Sequence, residues 1–152
     1  MMPRTLASTS ELDLLADQRS AHEDREIVSF PHGLPGFEEC RSFVVFAADA
    51  APFQWLSSVE GPPASFLAVD PRSVLPNFRY VLSPLDLARL QAADDTPLLW
   101  LAIVLVDADG TVSANLRAPI VINPASMIGQ QVMPQDCLYP LRHIIVPPTA
   151  SD

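Results

Sequence analysis

Apolar residues along this chain come in short runs that turn-forming residues interrupt, and this pattern begins at residue 26. Short runs rich in β-branched and aromatic residues, bounded by Gly, Pro, Asn or Asp, are typical of an all-β sandwich or barrel. The pattern predicts strands at residues 26–30, 42–47, 53–58, 65–70, 79–82, 98–106, 112–116, 120–123, 129–133 and 143–146. We therefore predict a mainly all-β fold, a small antiparallel β-barrel-like domain with one or two short helices.

One apolar run is much longer than the others and covers residues 98–106. A nearly continuous apolar run predicts a strand at the centre of the sheet with both faces covered. The run is followed by Asp107, Ala108, Asp109 and Gly110. Glycine at the end of such a turn supplies a left-handed backbone position, so these residues predict a hairpin to the next strand.

Residues 83–86 have the sequence pattern of a helix start. Ser83 suits an N-cap, Pro84 suits the first helical turn, and Asp86 places an acid at the third helical position. We expect a short helix over residues 84–92. The 16 prolines of the chain disfavour long helices elsewhere, because proline lacks an N–H and clashes with the preceding turn.

The first 25 residues differ from the rest, because they are mostly polar and charged. A helix that starts at Ser10 would bury little beyond Leu12, Leu14 and Leu15, so we interpret residues 1–25 as a flexible extension. A docking helix that packs on the domain or on a partner is the alternative. The folded domain is predicted to cover residues 26–147, and residues 148–152 form a C-terminal tail.

The charge of the chain favours a protein partner over a nucleic acid. Its 152 residues carry a net charge of -9, and all nine basic residues are scattered arginines. Binding to a phosphate backbone needs clustered basic side chains, so direct nucleic-acid binding is disfavoured. An acidic surface suits a basic protein partner.

The cysteines and the apolar runs indicate in which cellular compartment the protein is located. Two cysteines, Cys40 and Cys137, do not make a disulfide framework, and the N-terminus has no apolar signal region. The longest apolar run is too short to span a bilayer as a helix. We expect a cytoplasmic protein with reduced thiols, no contact with membranes, and a monomer when free.

The sequence contains only weak candidates for catalytic residues. Cys137 has Asp136 beside it and His143 nearby, but adjacent strand residues point to opposite faces, which disfavours a relay. The chain has no Gly-rich phosphate loop and no Cys/His cluster with zinc spacing, so we predict no enzyme activity, no metal and no cofactor. A thiol-dependent hydrolase and a small-ligand-binding barrel remain as alternatives.

The most detailed local signal is a structural corner at residues 30–37. Gly33 and Gly36 permit positive φ angles, Pro35 fixes its own φ, and Phe30 and Phe37 bracket the turn as apolar anchors. The sequence favours a rigid corner that closes the barrel. A preformed binding surface is the functional alternative.

Two further segments have patterns of their own. One runs from Pro52 to Asp70 and contains Glu60 near its middle. In the other, alternation predicts that Ser113, Asn115 and Arg117 share the solvent face of a strand, next to a break at Pro119. We predict partner contacts at Glu60, Asp70, Asn115 and Arg117. The alternative for Asn115 is that its side chain satisfies backbone groups of the bulge next to Pro119.

These motifs, in this order, resemble the FliW family of flagellar assembly factors. The resemblance rests on FPHGLPGF, PFQWLSSVE, FLAVDP, SANLRAPIVIN and GQQV, and covers about residues 26–139. It implies a small β-barrel-like fold without enzyme activity. It also implies two competing partners: CsrA, a dimeric translational repressor that the factor blocks away from its RNA-contacting surface, and flagellin, which titrates the factor.

Overall fold

The structure, a computed structural model, describes residues 26–61, 63–133 and 137–146 of the chain. Within these ranges nine strands form, namely β1 (Val28–Ser29), β2 (Ser42–Ala47), β3 (Gln54–Ser58), β4 (Ser65–Val69), β5 (Leu99–Val106), β6 (Val112–Ala114), β7 (Ile120–Asn123), β8 (Ile128–Gln131) and β9 (His143–Val146). Two short helices, α1 (Pro71–Val74) and α2 (Pro84–Leu90), lie between β4 and β5. The predictions for residues 1–25 and 148–152 fall outside the described residues.

Seven of these strands close into a ring, which confirms the predicted barrel-like all-β fold. β2, β3, β4 and β5 pair in succession as antiparallel neighbours, and β7 pairs with both β5 and β8. The ring closes at β1, which is antiparallel to β2 but parallel to β8. No hairpin constrains the β1–β8 direction, because the two strands are far apart in sequence.

The long apolar strand β5 pairs with three different strands along its length. Its residues 99–101 pair with β7, residues 102–103 with β4 and residues 104–106 with β6. The prediction that both faces are covered is wrong at the end of the strand, where Leu105 and Val106 are about half exposed. Within the described ranges, this end of β5 pairs with β6 alone and lies beyond residues 99–103, which pair with the ring strands β7 and β4.

The strand predicted at residues 79–82 does not form. Phe78, Tyr80 and Leu82 turn inward and alternate with exposed Arg79 and Val81, so the period of two is present. Among the described residues it nevertheless has no strand partner, and its inward side chains pack on the apolar clusters around Trp100. Alternation shows which face of an extended segment is buried, not whether its backbone joins a ladder.

The helix caps are local and follow the sequence. The Ser83 hydroxyl accepts a hydrogen bond from the Asp86 N–H at 3.1 Å and starts α2, which ends at Leu90 with Gln91 in the left-handed region. The expected end at residue 92 is two residues too late. The helix α1 was not predicted; Asp70 caps it by accepting a hydrogen bond from the Arg72 N–H at 2.9 Å.

Side chains from β1, β2, β3, β4, β5 and β7 fill the ring. The largest core side chains are Phe30, which directly follows β1, and Phe43 of β2. Both are fully buried and meet edge to face with their ring centroids 5.1 Å apart. Phe30 also lies against the backbone of Gly129 in β8, where an added Cβ would come within 2.5 Å of its ring. This contact joins the start of the corner to the closing strand of the barrel.

Candidate functional site

The corner predicted at residues 30–37 is a compact, hydrogen-bonded connection between β1 and β2. The N–H of Gly33 donates to the carbonyl of Phe30 at 2.8 Å, and the N–H of Phe37 donates to the carbonyl of Leu34 at 2.7 Å. Gly33 and Gly36 have φ angles of 64° and 84°. A Cβ on Gly33 would also stand 2.6 Å from the Cα of Glu38, so the chain folds back on itself here without space for a side chain.

The outer side of this corner combines an aromatic ring with acids. Phe37 is 42% exposed and rests edge-on against Phe66, with centroids 5.0 Å apart. Glu38 and Glu39 follow it in the sequence and are both exposed. The Glu38 carboxylate accepts a hydrogen bond from the Gly36 N–H at 3.1 Å, which holds that acid against the corner.

Glu60 belongs to the same surface. It lies in the turn between β3 and β4, where it is exposed and accepts a hydrogen bond from the Ser42 hydroxyl at 2.8 Å. The next residue, Gly61, approaches the carbonyl oxygen of Glu39, which brings this turn against the corner. We call Phe37, Glu38, Glu39 and Glu60 the corner surface. Arg41 borders it, with its Nε donating to the backbone carbonyl of Glu38 at 3.2 Å. The surface and its border therefore carry three carboxylates and one guanidinium.

The structure separates Asp70 from this surface. Glu60 precedes β4 and Asp70 follows it, so the two acids lie at opposite ends of that strand. The carboxylate of Asp70 is engaged as the N-cap of α1. The cap uses Oδ1, so a partner contact at Asp70 would fall to the other carboxylate oxygen.

The predicted strand face of Ser113, Asn115 and Arg117 is wrong. β6 ends at Ala114, and Ser113 is only 1% exposed, so its face of the strand is not open to solvent. The Asn115 side-chain oxygen accepts hydrogen bonds from the N–H groups of Arg117 and Ala118, both at 3.0 Å. Asn115 therefore shapes the bend that joins β6 to β7, because its carboxamide satisfies backbone donors there.

Arg117 is exposed but also has a structural contact. Its Nε donates to the carbonyl of Tyr139 at 2.9 Å, and the Tyr139 hydroxyl accepts a hydrogen bond from the N–H of Arg79 at 2.8 Å. Arg117 thus ties the segment before β9 to the bend after β6. Glu60 lies at the other end of β4 from Asp70, and partner contacts at Glu60, Asp70, Asn115 and Arg117 stay a prediction.

A small cleft opens behind the corner, and sequence reasoning did not predict it. It has a volume of about 210 Å³ and is lined by His32, Gly33, Pro35 and Glu38 of the corner, by Arg89 of α2, and by residues 129–131 of β8. Three segments far apart in the chain meet here. Glu38 therefore belongs both to the corner surface and to this cleft.

The groups of the hydrolase alternative lie elsewhere. Cys137 is half-buried, and His143 is half-buried at the start of β9. Near Cys137, burial raises the pKa of Tyr80, and the nearby Cys137 and Asp86 add to this increase. Among residues 26–61, 63–133 and 137–146, the structure holds no group of three His, Cys, Asp or Glu side chains that could bind a metal.

The acidic hairpin at residues 107–110 is held by local hydrogen bonds. Gly110 has a φ angle of 90°, as the predicted turn requires. The N–H of Thr111 donates to the Asp109 carboxylate and lowers the pKa of Asp109. Asp107 pairs with Arg142 next to β9. Asp107 and Asp109 therefore both make structural contacts in or next to the turn.

Comparison with known proteins identifies the family. A family model described as FliW protein matches residues 16–145. The chain belongs to the FliW family of flagellar assembly factors. A flagellar assembly factor from Geobacillus kaustophilus is 33% identical over 125 residues, which cover 82% of this chain and 87% of that protein. One from Caldicellulosiruptor saccharolyticus is 31% identical, with 80% and 81% covered.

A solved structure supports the same assignment. The crystal structure of the flagellar assembly factor FliW matches with a TM-score of 0.73 and 35% sequence identity, covering 80% of this chain and 86% of that one. This match agrees with the ring of strands described above. In the part of the chain that the structure describes, no helix is long and apolar enough to cross a membrane.

Proposed function

We propose that this chain is a cytoplasmic protein-binding antagonist of the translational repressor CsrA that also binds flagellin. Competition between the two partners couples the level of free flagellin to its own translation. Family membership supports this role, since the relatives are flagellar assembly factors. The protein acts by binding and not by catalysis, and it is a monomer when free.

The corner surface is the observation that carries the proposal. An exposed aromatic ring surrounded by carboxylates suits a basic protein partner, because aromatic residues are common energetic anchors of interfaces and charge complementarity steers association. The rigid backbone of the corner reduces the entropy that binding would otherwise cost. Residues 26–152 have six arginines and thirteen acids, so the domain around this surface is itself acidic.

A small-molecule role is less well supported. The cleft of about 210 Å³ is smaller than typical small-molecule pockets of ~300–1,000 Å³. In the described part of the chain, large apolar side chains such as Phe30 and Phe43 fill the ring. A protein partner that covers the corner surface accounts for the exposed Phe37 more directly.

Neutralising two acids of the corner surface is expected to slow association with CsrA. The double variant Glu39→Gln/Glu60→Gln should reduce the association rate constant about 3–10-fold at low salt, a part of the ~10–10³-fold that electrostatic steering supplies. Its rate should also depend less steeply on salt, because the charges that salt screens have been removed. Stopped-flow mixing at several salt concentrations measures both effects.

The matched control is Asp94→Asn/Asp95→Asn, which removes the same charge from an exposed turn after α2. If both double variants slow association equally, net charge steers the partner and the corner surface has no special role. If the association rate constant does not depend on salt and neither double variant changes it, electrostatic steering by these acids is excluded.

A further inference from the structure

A second exposed surface surrounds Tyr139, in the segment between β8 and β9. The Tyr139 hydroxyl accepts a hydrogen bond from the Arg79 N–H at 2.8 Å, and its carbonyl accepts one from the Nε of Arg117 at 2.9 Å. The ring of Tyr139 also stacks on that of Phe78, with the centroids 4.8 Å apart. Three segments that are far apart in the chain therefore meet at this tyrosine.

Two aliphatic side chains of these segments are almost fully exposed. Leu138 directly precedes Tyr139 and is 96% exposed, and Val81 is 89% exposed on the same outward face of its segment as Arg79. These are the two largest exposed fractions of any large apolar side chain in the part of the chain that the structure describes. Singly exposed aliphatic residues are common on protein surfaces, so these two carry an inference only together with the charges beside them.

The two arginines at Tyr139 are exposed and retain donors for a partner. Among residues 26–61, 63–133 and 137–146, no carboxylate pairs with the guanidinium of Arg79 or Arg117. An arginine side chain has five N–H donors, and the bond from the Nε of Arg117 to Tyr139 uses one of them. We call this group of exposed residues the Tyr139 surface: Arg79, Val81, Arg117 and Leu138.

The charge around the Tyr139 surface is opposite to that of the corner surface. Residues 110–133 and 137–146 contain Arg117 and Arg142 but no carboxylate. Two acids lie near this part of the fold, and both are engaged. Asp107 pairs with Arg142, and the carboxylate of Asp86, which lies near Tyr80, accepts a hydrogen bond from a glutamine of β8 at 2.8 Å. The acidic domain thus has one region in which cations are in excess.

We propose that the Tyr139 surface binds an acidic protein segment that carries aliphatic side chains, at a site separate from the one that binds the basic partner. A guanidinium binds a carboxylate through two parallel hydrogen bonds, and the aliphatic side chains of the segment would cover Val81 and Leu138. The inference goes beyond the proposed function, because it assigns a second contact surface of opposite charge. In this inference, Arg117 contacts a different segment from Glu60.

A nucleic acid is the other class of partner that guanidiniums bind, through its phosphates. Such binding depends on many clustered phosphate contacts, and the Tyr139 surface has two arginines. Single-stranded nucleic acids also need aromatic faces on which bases stack, which the exposed Val81 and Leu138 do not supply. An acidic, aliphatic protein segment uses both the cations and the apolar side chains, so these observations favour it.

Peptide titrations of the full chain, followed by NMR, test this inference without CsrA or flagellin. Three acetylated ten-residue peptide amides are compared, in which leucine alternates with aspartate, leucine with lysine, and serine with aspartate. The leucine–aspartate peptide is expected to shift the amide resonances of Val81, Arg117 and Leu138 at about fivefold lower concentration than the other two, because it alone matches both features of the surface. Equal or absent shifts would overturn the inference, and so would shifts at lower concentration with a single-stranded RNA of ten nucleotides.

Two variants make the same charge change at exposed arginines, and only one of these arginines belongs to the Tyr139 surface. Arg79→Glu should weaken binding of the leucine–aspartate peptide at least fivefold, whereas Arg89→Glu on α2 should change it less than twofold. The hydrogen bond to Tyr139 uses the backbone N–H of Arg79, so the substitution leaves it in place.

Thermal unfolding checks that these variants fold, and Arg79→Gln, which should weaken binding of the same peptide about twofold, is measured beside Arg79→Glu. Equal losses for Arg79→Glu and Arg89→Glu would show that net charge alone attracts the peptide, which contradicts a site at Tyr139. Because neither CsrA nor flagellin takes part, failure of this test leaves the proposed function standing.

Discussion

Gly129→Ala is expected to destabilise the domain by about 3 kcal/mol, at the upper end of the cost of overpacking a core. The new methyl group would stand 2.5 Å from the ring of Phe30, which is fully buried. That ring cannot move freely, since it also packs against Phe43. The strain would therefore reach both β8 and the corner that begins at Phe30. Urea unfolding, followed by circular dichroism, measures the change in the free energy of unfolding.

Gly36→Ala is the matched control for this substitution. Gly36 has a positive φ of 84°, but a Cβ there would meet nothing within 4 Å. Its cost should be about 1–2 kcal/mol, which is the penalty for a left-handed L-residue. In the double variant Phe30→Leu/Gly129→Ala, the two effects should couple favourably, because the smaller side chain relieves the overlap. A Gly129→Ala variant no less stable than Gly36→Ala would refute the close contact.

Asn123→Ala is expected to cost about 2–3 kcal/mol, because it removes three hydrogen bonds of a buried side chain, each worth about 0.5–1.5 kcal/mol. Asn123 is 1% exposed and lies at the end of β7. Its Nδ2 donates to the carbonyls of Leu90 at 2.9 Å and Gln91 at 3.2 Å, and its Oδ1 accepts from the Ala125 N–H at 3.0 Å. Asn123 thus links the C-terminal end of α2 to the end of β7.

Hydrogen exchange should locate the effect of Asn123→Ala. The amides of α2 should lose more protection than those of β2 and β3, because the helix is attached at the site of the change. Ser126→Ala is the control, since the Ser126 hydroxyl donates to the same Leu90 carbonyl at 3.0 Å but makes one bond where Asn123 makes three. An Asn123→Ala variant as stable as Ser126→Ala would show that the helix is held by its apolar contacts alone.

Local signals in the sequence predicted most of the fold. The ranges predicted for β2, β7 and β9 agree with the structure, and Ser83 starts α2 as its residue type indicates. These features depend on neighbours within a few positions, so the sequence carries them directly. The failures involve partners at a distance: the segment at residues 79–82 alternates like a strand but finds no neighbouring strand, and β1 meets β8 in parallel.

The sequence predicts less of the candidate site than of the fold. The corner could be predicted because its glycines and prolines constrain the backbone locally. The cleft could not, because it forms where the corner, Arg89 and β8 converge after the ring has closed. The sequence leaves two roles open for Asn115, because a polar residue near a strand end suits either a partner or a backbone bend. The hydrogen bonds that its side-chain oxygen accepts from the N–H groups of Arg117 and Ala118 support the bend.

Calorimetric titration of this chain with CsrA from the same organism, with and without flagellin, tests whether the two partners compete for it. We expect a saturable complex with one copy of this protein per CsrA subunit, which an excess of flagellin abolishes by occupying the same protein. Absence of heat in the titration, together with separate elution of the two proteins in gel filtration, would show that this chain does not bind CsrA.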